Sequence, residues 1–330
     1  MTLLTPAAIF LGFLLLLGAY GGQLVRQSAP ALMRAPRTAA AALIAVLGVW
    51  MIGVAAVGPL LALALGSSAP MLPGRAGEVC QRCIDAASPF GFGPGGDAAV
   101  PSIVLLAAPV VFGLGLALYA SRSHARRRSS TRELCRRLNQ SGSARTVLGH
   151  QVTVIDDAQL VAFALPRSCR GTVISRATME ALTAEELEAV LAHEEAHLRQ
   201  RHHVITSAVE GITRPLRWVP LVRCVADAIP HYLEVAADNA ARERVSTTTL
   251  ASALLKLGEK PKHPSGASRH AALLHAAGAD RIRQLVAPQS SRAAAASAGA
   301  VLATGLVLMI SSAAVHLPYA QAVAAGCLHL

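Results

Sequence analysis

His193, Glu194, Glu195, Ala196 and His197 form an H-E-x-x-H pentad. Two histidines four residues apart share one face of a helix, so their imidazoles can grip a single metal ion. The glutamate between them can act as general base at the metal's open position. With 12 histidines in 330 residues, and as many glutamates, the pattern arises by chance in roughly one or two of a hundred such chains. Its surroundings must therefore carry the assignment. A catalytic zinc needs a third protein ligand and leaves its fourth position to water. Glu234 is the candidate, in an Ala-rich stretch (Tyr232–Ala241) that follows Pro230 and reads as a second helix. Asp238 stands one turn beyond it on the same face, placed to accept a hydrogen bond from the free ring N–H of a ligating histidine. Glu210, 13 residues past His197, is the weaker competitor. The set reads as a Zn2+ site with ligands His193, His197 and Glu234, catalytic base Glu194 and supporting carboxylate Asp238. The plainer alternative is a pair of solvated helices with incidental histidines and acids. An additional oxyanion donor is usual in such sites, and His202, His203 and Tyr232 are the candidates.

These side chains need rigid elements. Thr183 followed three residues later by Glu186 is a capping-box signature for a helix start. Leu187, Val190 and Leu191 then repeat at helical spacing and predict the face that meets a core. Upstream, Val147–Ile155, Val161–Leu165 and Thr172–Ser175 read as strands, with a turn at Arg170-Gly171. Thr172–Ser175 is the candidate edge for pairing with an extended peptide substrate. Arg126 to Gln140 predicts a basic helix, and Arg269–Val286 another. Pro215 and Pro220 interrupt residues 198–233, which hold no apolar run long enough to span a bilayer.

Composition places this machinery in a membrane. The chain is 53% hydrophobic with mean hydropathy +0.46, too apolar for an ordinary soluble domain. Four stretches are long enough to span: Leu3–Gly22, Ala39–Leu65, Pro101–Ala120 and Ala293–Leu317. Arginines follow the first span (Arg26, Arg34, Arg37) and the third (Arg122, Arg126, Arg127, Arg128, Arg132), whereas the loop between spans two and three mixes Arg75 and Arg82 with Glu78, Asp85 and Asp97. That bias predicts a multi-pass cell-membrane protein with both termini outside. The expected fold is membrane α-helical with four transmembrane helices and a cytoplasmic α+β zincin-like domain. Residues 1–120 hold three spans with an outer loop at 66–98, residues 121–292 the metallopeptidase, residues 293–317 the fourth span and residues 318–330 a short outer tail. The formal charge of +11 then fits basic residues meeting anionic lipid headgroups. No recognition motif accompanies the run Arg126–Arg128, so direct nucleic-acid binding is not expected. The spans hold almost no ionisable residue, which counts against a transporter. Cys80 and Cys83 form a C-x-x-C in the outer loop, where a structural disulfide is expected ahead of half a zinc site or a redox pair, and which two of Cys80, Cys83 and Cys327 would pair is open. Cys327 lies in the outer tail, and Cys135, Cys169 and Cys224 are expected as free cytoplasmic thiols.

The arrangement resembles the BlaR/MecR-type membrane zinc metallopeptidases, a gluzincin-like antirepressor family. The residues that carry the resemblance are Ala162-Phe163-Ala164-Leu165-Pro166, Val173-Ile174-Ser175, Glu186-Leu187, Val190 to Glu194, His197, Glu234 and Asp238. By this resemblance His193, His197 and Glu234 bind zinc, Glu194 is the base, and the peptidase acts in signalling that inactivates a BlaI/MecI-type repressor. One departure is plain. The β-lactam-sensing members carry a large outer penicillin-binding domain, whereas only about 13 residues follow Leu317 here and no S-x-x-K motif occurs, so β-lactam acylation is not expected. The alternatives are an HtpX/CAAX-type quality-control peptidase, which would place a membrane hairpin between the pentad and the glutamate, and a non-catalytic zinc-binding signalling scaffold. Retention of Glu194 weighs against the scaffold, because a structural site needs no base.

Overall fold

The computed structural model describes residues 4–65, 102–169, 171–258, 299–314 and 317. Helices α1 (Leu4–Leu32) and α2 (Pro36–Leu65) form a hairpin. Trp50 Nε1 donates to the carbonyl of Leu14 at 3.0 Å, and Gly53 lies against Leu14 and Phe10. Within them Ala8–Leu32 and Pro36–Gly58 are long and apolar enough to cross a membrane. Leu15, Leu16 and Ile52 point outward at 60–65% exposure, so the hairpin presents an exposed apolar surface. The stretch predicted as a third span lies in the first half of α3 (Ser102–Ser141), and the predicted basic helix is the second half of that same rod. Part of the fourth predicted span is the helix α9 (Gly299–Ala314), whose Val301 and Leu308 are buried in the same cluster as α1 and α2. Among the described residues the two candidate spans are those of α1 and α2, and α9 is too short to be a third. The C-x-x-C at Cys80 and Cys83, Cys327 and the predicted helix Arg269–Val286 lie outside the described residues.

The sheet has four strands among the described residues, in the order β1-β2-β4-β3. β1 (Ser143–Val147) and β2 (His150–Ile155) are antiparallel, β4 (Thr172–Ser175) runs parallel to β2, and β3 (Ala162–Ala164) is antiparallel to β4. Two strand expectations are corrected here. Val147–Ile155 is not one strand, because Leu148 (φ 49°) and Gly149 (φ 81°) turn the chain back on itself in the left-handed pair that tight hairpins require. Thr172–Ser175 is not an edge, because β4 is paired on both sides and all four of its residues are buried. β3 is the edge on that side, and it lies against the pentad helix.

That helix, α5 (Ala184–Arg199), follows the short α4 (Arg176–Ala181). α6 (His202–Thr213), a 3-10 turn at Arg214–Leu216 and α7 (Pro220–Arg242) come next, then α8 (Thr247–Gly258). The second helix expected after Pro230 begins ten residues earlier. Pro220 occupies its first turn, where a missing N–H costs nothing, and Pro230 is carried inside it. Residues 198–233, though broken by proline, fold as a helical pair that packs on the apolar hairpin. α6 meets α3, and the first half of α7 meets α1 and α2. Val219 lies against Gly18, Leu221 against Gly21, and Cys224 Sγ donates to the carbonyl of Gly22 at 3.2 Å.

Two apolar clusters result. One joins α1, α2 and α9 to Leu221, Val222, Val225, Ile229 and Leu233 of α7. The other joins the sheet to α5 and α8 through Val152, Ile174, Val190, Leu191 and Leu250. The expectation of free thiols fails for two cysteines. Cys135 on α3 is disulfide-bonded to Cys169, in a 3-10 turn (Arg167–Cys169), with Cα atoms 5.4 Å apart. The two cysteines stand 34 positions apart in the chain, and folding the first strands back beside α3 brings them together, a proximity that only the tertiary fold creates. Cys224 is a free thiol.

Candidate metal centre

α5 starts where its capping residues dictate. The Thr183 hydroxyl accepts from the Glu186 N–H, and the Thr183 N–H donates to Glu186 Oε2 at 2.9 Å. The same carboxylate accepts from Lys256 Nζ and Ser252 Oγ of α8, each at 2.6 Å. The ammonium of Lys256, then the Ser252 hydroxyl and the Thr183 amide, hold the Glu186 carboxyl at about 2. Leu187, Val190 and Leu191 are buried, as their spacing predicts. On the opposite side, His150 reaches Glu188 and Glu195 at 3.2 Å each, and Arg244 reaches Glu195 at 3.0 Å. These contacts clamp β2 and the end of α7 to α5.

α7 packs alongside α5. Ala192 and Ala196 of α5 and Ala240 of α7 line the crevice between them, and side chains this small let the two backbones approach. The structure brings together three of the residues singled out in the sequence: His193, His197 and Glu234. His193 Nε2 and His197 Nε2 are 3.0 Å apart. Glu234 Oε2 lies 3.5 Å from the first and Oε1 3.5 Å from the second. Tetrahedral zinc bonds of roughly 2.0–2.1 Å put neighbouring ligand atoms roughly 3.3–3.4 Å apart. The triangle of side chains is close to that size, with each imidazole facing a different oxygen of the one carboxylate and the donor atoms within 4.8 Å of one another, and two imidazoles and a carboxylate suit zinc. These three residues could hold a metal ion.

Asp238 Oδ1 approaches His193 Nδ1 at 3.1 Å, with both side chains at most 3% exposed. Glu194 is 5% exposed, directly after His193 on α5. Glu210 is placed elsewhere, paired with Arg127 of α3 at 2.6 Å. Of the three oxyanion candidates, Tyr232 is buried in the cluster shared with α1 and α2, and His203 is half-buried.

His202 touches the centre itself. Its Nδ1 lies 2.9 Å from His197 Nδ1 and its Nε2 lies 3.1 Å from Gln200 Oε1. Burial pulls the His202 imidazole down to about 4, against the opposing charge of Glu234. Sequence reading names His202 without foreseeing this contact, and it misses Gln200 altogether. The signal would have been a histidine five residues past the second ligand, just beyond a helix end.

Residues 121–229 match the model of peptidase family M48. The match begins within α3, takes in the sheet and the pentad, and stops at Ile229, before Glu234. It supports a zinc metallopeptidase family, and so a hydrolase, for this region; it does not name the BlaR/MecR-type family. No curated protein and no solved structure matches the chain.

Proposed function

We propose that this chain is a membrane-anchored, zinc-dependent endopeptidase, with His193, His197 and Glu234 as ligands and Glu194 as general base. The observation that carries the reading is the convergence of two imidazole nitrogens, 3.0 Å apart, with each 3.5 Å from one oxygen of the Glu234 carboxylate, the pentad lying inside a region that matches a metallopeptidase family and Glu234 just beyond it. A bound zinc ion supplies a Lewis acid that polarises the scissile carbonyl and acidifies the attacking water. Glu194 takes the proton from that water and returns it to the leaving amine. Asp238 holds His193 through its second nitrogen. An extended substrate adds to the edge of β3 beside α5, where backbone pairing positions the peptide and adjacent pockets select side chains.

The arginine distribution puts the active site on the cytoplasmic face, next to the bilayer. Two roles fit a peptidase so placed. The resemblance drawn from the sequence favours inactivation of a repressor in signalling. Quality control of membrane proteins is the second reading, although α6 and α7, packed on α1, α2 and α3, hold no apolar run long enough to form the membrane hairpin of the HtpX/CAAX-type layout. The test uses the full chain in detergent, with wild type compared to Glu194→Gln. The variant is expected to retain zinc and lose cleavage of an unfolded polypeptide such as casein. Equal cleavage by the two proteins would remove Glu194 from the mechanism. Cleavage of a small winged-helix repressor in preference to unfolded membrane protein would select the signalling role.

A further inference from the structure

For His197 to present Nε2 as a metal ligand, that nitrogen must be unprotonated, so the neutral ring carries its proton on Nδ1. That N–H needs an acceptor, because the site around it is buried. Nδ1 of His202 lies 2.9 Å from that of His197, and the two rings meet edge to face, 4.7 Å between centroids and 90° between planes. An imidazole that accepts at Nδ1 carries its own proton on Nε2. In His202 that nitrogen is 3.1 Å from Gln200 Oε1, an acceptor. One assignment of tautomers thus serves Nδ1 of His197, both ring nitrogens of His202 and Oε1 of Gln200. The other ligating histidine is served differently, by the carboxylate of Asp238 at 3.1 Å.

The backbone supports the same reading. α5 and α6 are separated by Gln200 and Arg201 alone, and Arg201 sits at φ 54°, ψ 37°. A non-glycine residue is strained in the left-handed region. The tight turn it makes brings His202, 3% exposed, back over the last turn of α5.

We propose that His202 is a positioning residue for the metal centre, accepting the Nδ1 proton of His197 and, latched by Gln200, fixing the ring orientation with which His197 meets the metal. The proposal rests on the metal-centre reading given above. A neutral acceptor orients the ligand without adding negative charge, so the two imidazoles differ in donor strength.

The test uses full-length protein in detergent and Zn2+ alone, in competition with a chromophoric chelator, together with the visible spectrum of the Co2+-loaded protein. His202→Leu removes the acceptor, and His202→Asn keeps an amide oxygen near the place of Nδ1. His202→Leu is expected to bind Zn2+ about 10–100-fold more weakly and to shift the cobalt bands, while His202→Asn stays within about threefold of wild type, the range for a ligand's hydrogen-bond partner. Wild-type affinity in His202→Leu overturns the proposal, as does His202→Asn binding as weakly as His202→Leu. If His202→Leu fails to fold, Gln200→Leu serves instead, because it releases His202 without emptying its site. Weakened binding is expected there, and wild-type affinity overturns the proposal. A wild type that binds no Zn2+ at all overturns the metal centre and this inference together, whereas tight binding by wild type and His202→Leu alike removes this inference alone.

Discussion

Asp238→Ala isolates the other histidine. The Asp238 carboxylate is 2% exposed and lies 3.1 Å from His193 Nδ1, which is itself 3% exposed. This is a close buried contact between imidazole and carboxylate, and a carboxylate beside the second nitrogen of a metal-bound histidine contributes about 10- to 100-fold in metal affinity, or about 1.4–2.8 kcal/mol. If that contribution is expressed when His193 ligates, its loss weakens zinc binding by the same factor. Asp238→Asn keeps the shape and an acceptor oxygen while dropping the charge, so it should fall between alanine and wild type. Chelator competition on the full chain at neutral pH reads the affinities, and casein cleavage read across a zinc titration separates cause from consequence. Because Asp238 acts through the metal, excess Zn2+ should restore most of the cleavage lost in Asp238→Ala. Glu194→Gln should stay inactive at any zinc concentration. Zinc affinity in Asp238→Ala within a factor of about two of wild type would refute the reasoning, and so would activity that zinc does not restore.

The Glu186 carboxyl, lowered from 4.5 to about 2 chiefly by Lys256, contributes stability that is fully present above its unfolded value and drains away as pH falls from about 4.5 toward 2. Lys256→Met should therefore lower the melting temperature at neutral pH, and its difference from wild type should close across that acid window in a circular-dichroism series; a gap that persists to pH 2 counts against the assignment. If the peptidase faces the cytoplasm, the Cys135–Cys169 bridge is exposed to a reducing milieu and both thiols should accept a permeant maleimide in cells, whereas a bridge intact after rapid acid quenching would place the domain on the opposite side. Gly22 has no room for a side chain, since a Cβ there would lie 3.0 Å from the carbonyl oxygen of Pro220 and 3.2 Å from Cys224 Cβ. Gly22→Val should push α7 off α1 at a cost of about 1–3 kcal/mol and weaken zinc binding, and unchanged zinc affinity would show that α1 and Glu234 are uncoupled.

The centre was legible because its signals are local. A capping box, a helical stripe and two histidines one turn apart lie within 15 residues, Thr183 to His197, and Glu234 with Asp238 repeats the one-turn spacing. What escaped depends on distant parts of the chain. Whether Thr172–Ser175 is an edge depends on where β3 pairs, and nothing in its own residues decides that. The hairpin inside Val147–Ile155 turns on Leu148, a residue that rarely adopts positive φ, followed by a single glycine. The bridge between Cys135 and Cys169 needs the sheet folded against α3. Pro230 looked like a boundary because proline usually ends helices, yet α7 runs through it. The helical pair at 202–233 was hidden because its apolar face is complete only against α1 and α2.

α7 is one rod of 23 residues, roughly 34 Å long. Its first half is wedged against α1 and α2, and its second half carries Glu234, while both imidazoles ride on α5 with the sheet. Metal–ligand distances tolerate only about 0.2 Å of error. Rocking the apolar hairpin against the sheet by even one ångström would therefore prise the carboxylate away from the imidazoles with nothing unfolding. If the hairpin spans a bilayer, lipid thickness and lateral pressure become inputs to the proposed chemistry, readable as a difference in Zn2+ affinity between thin and thick bilayer discs. Equal affinity in the two would mean that the rod bends before the triangle opens.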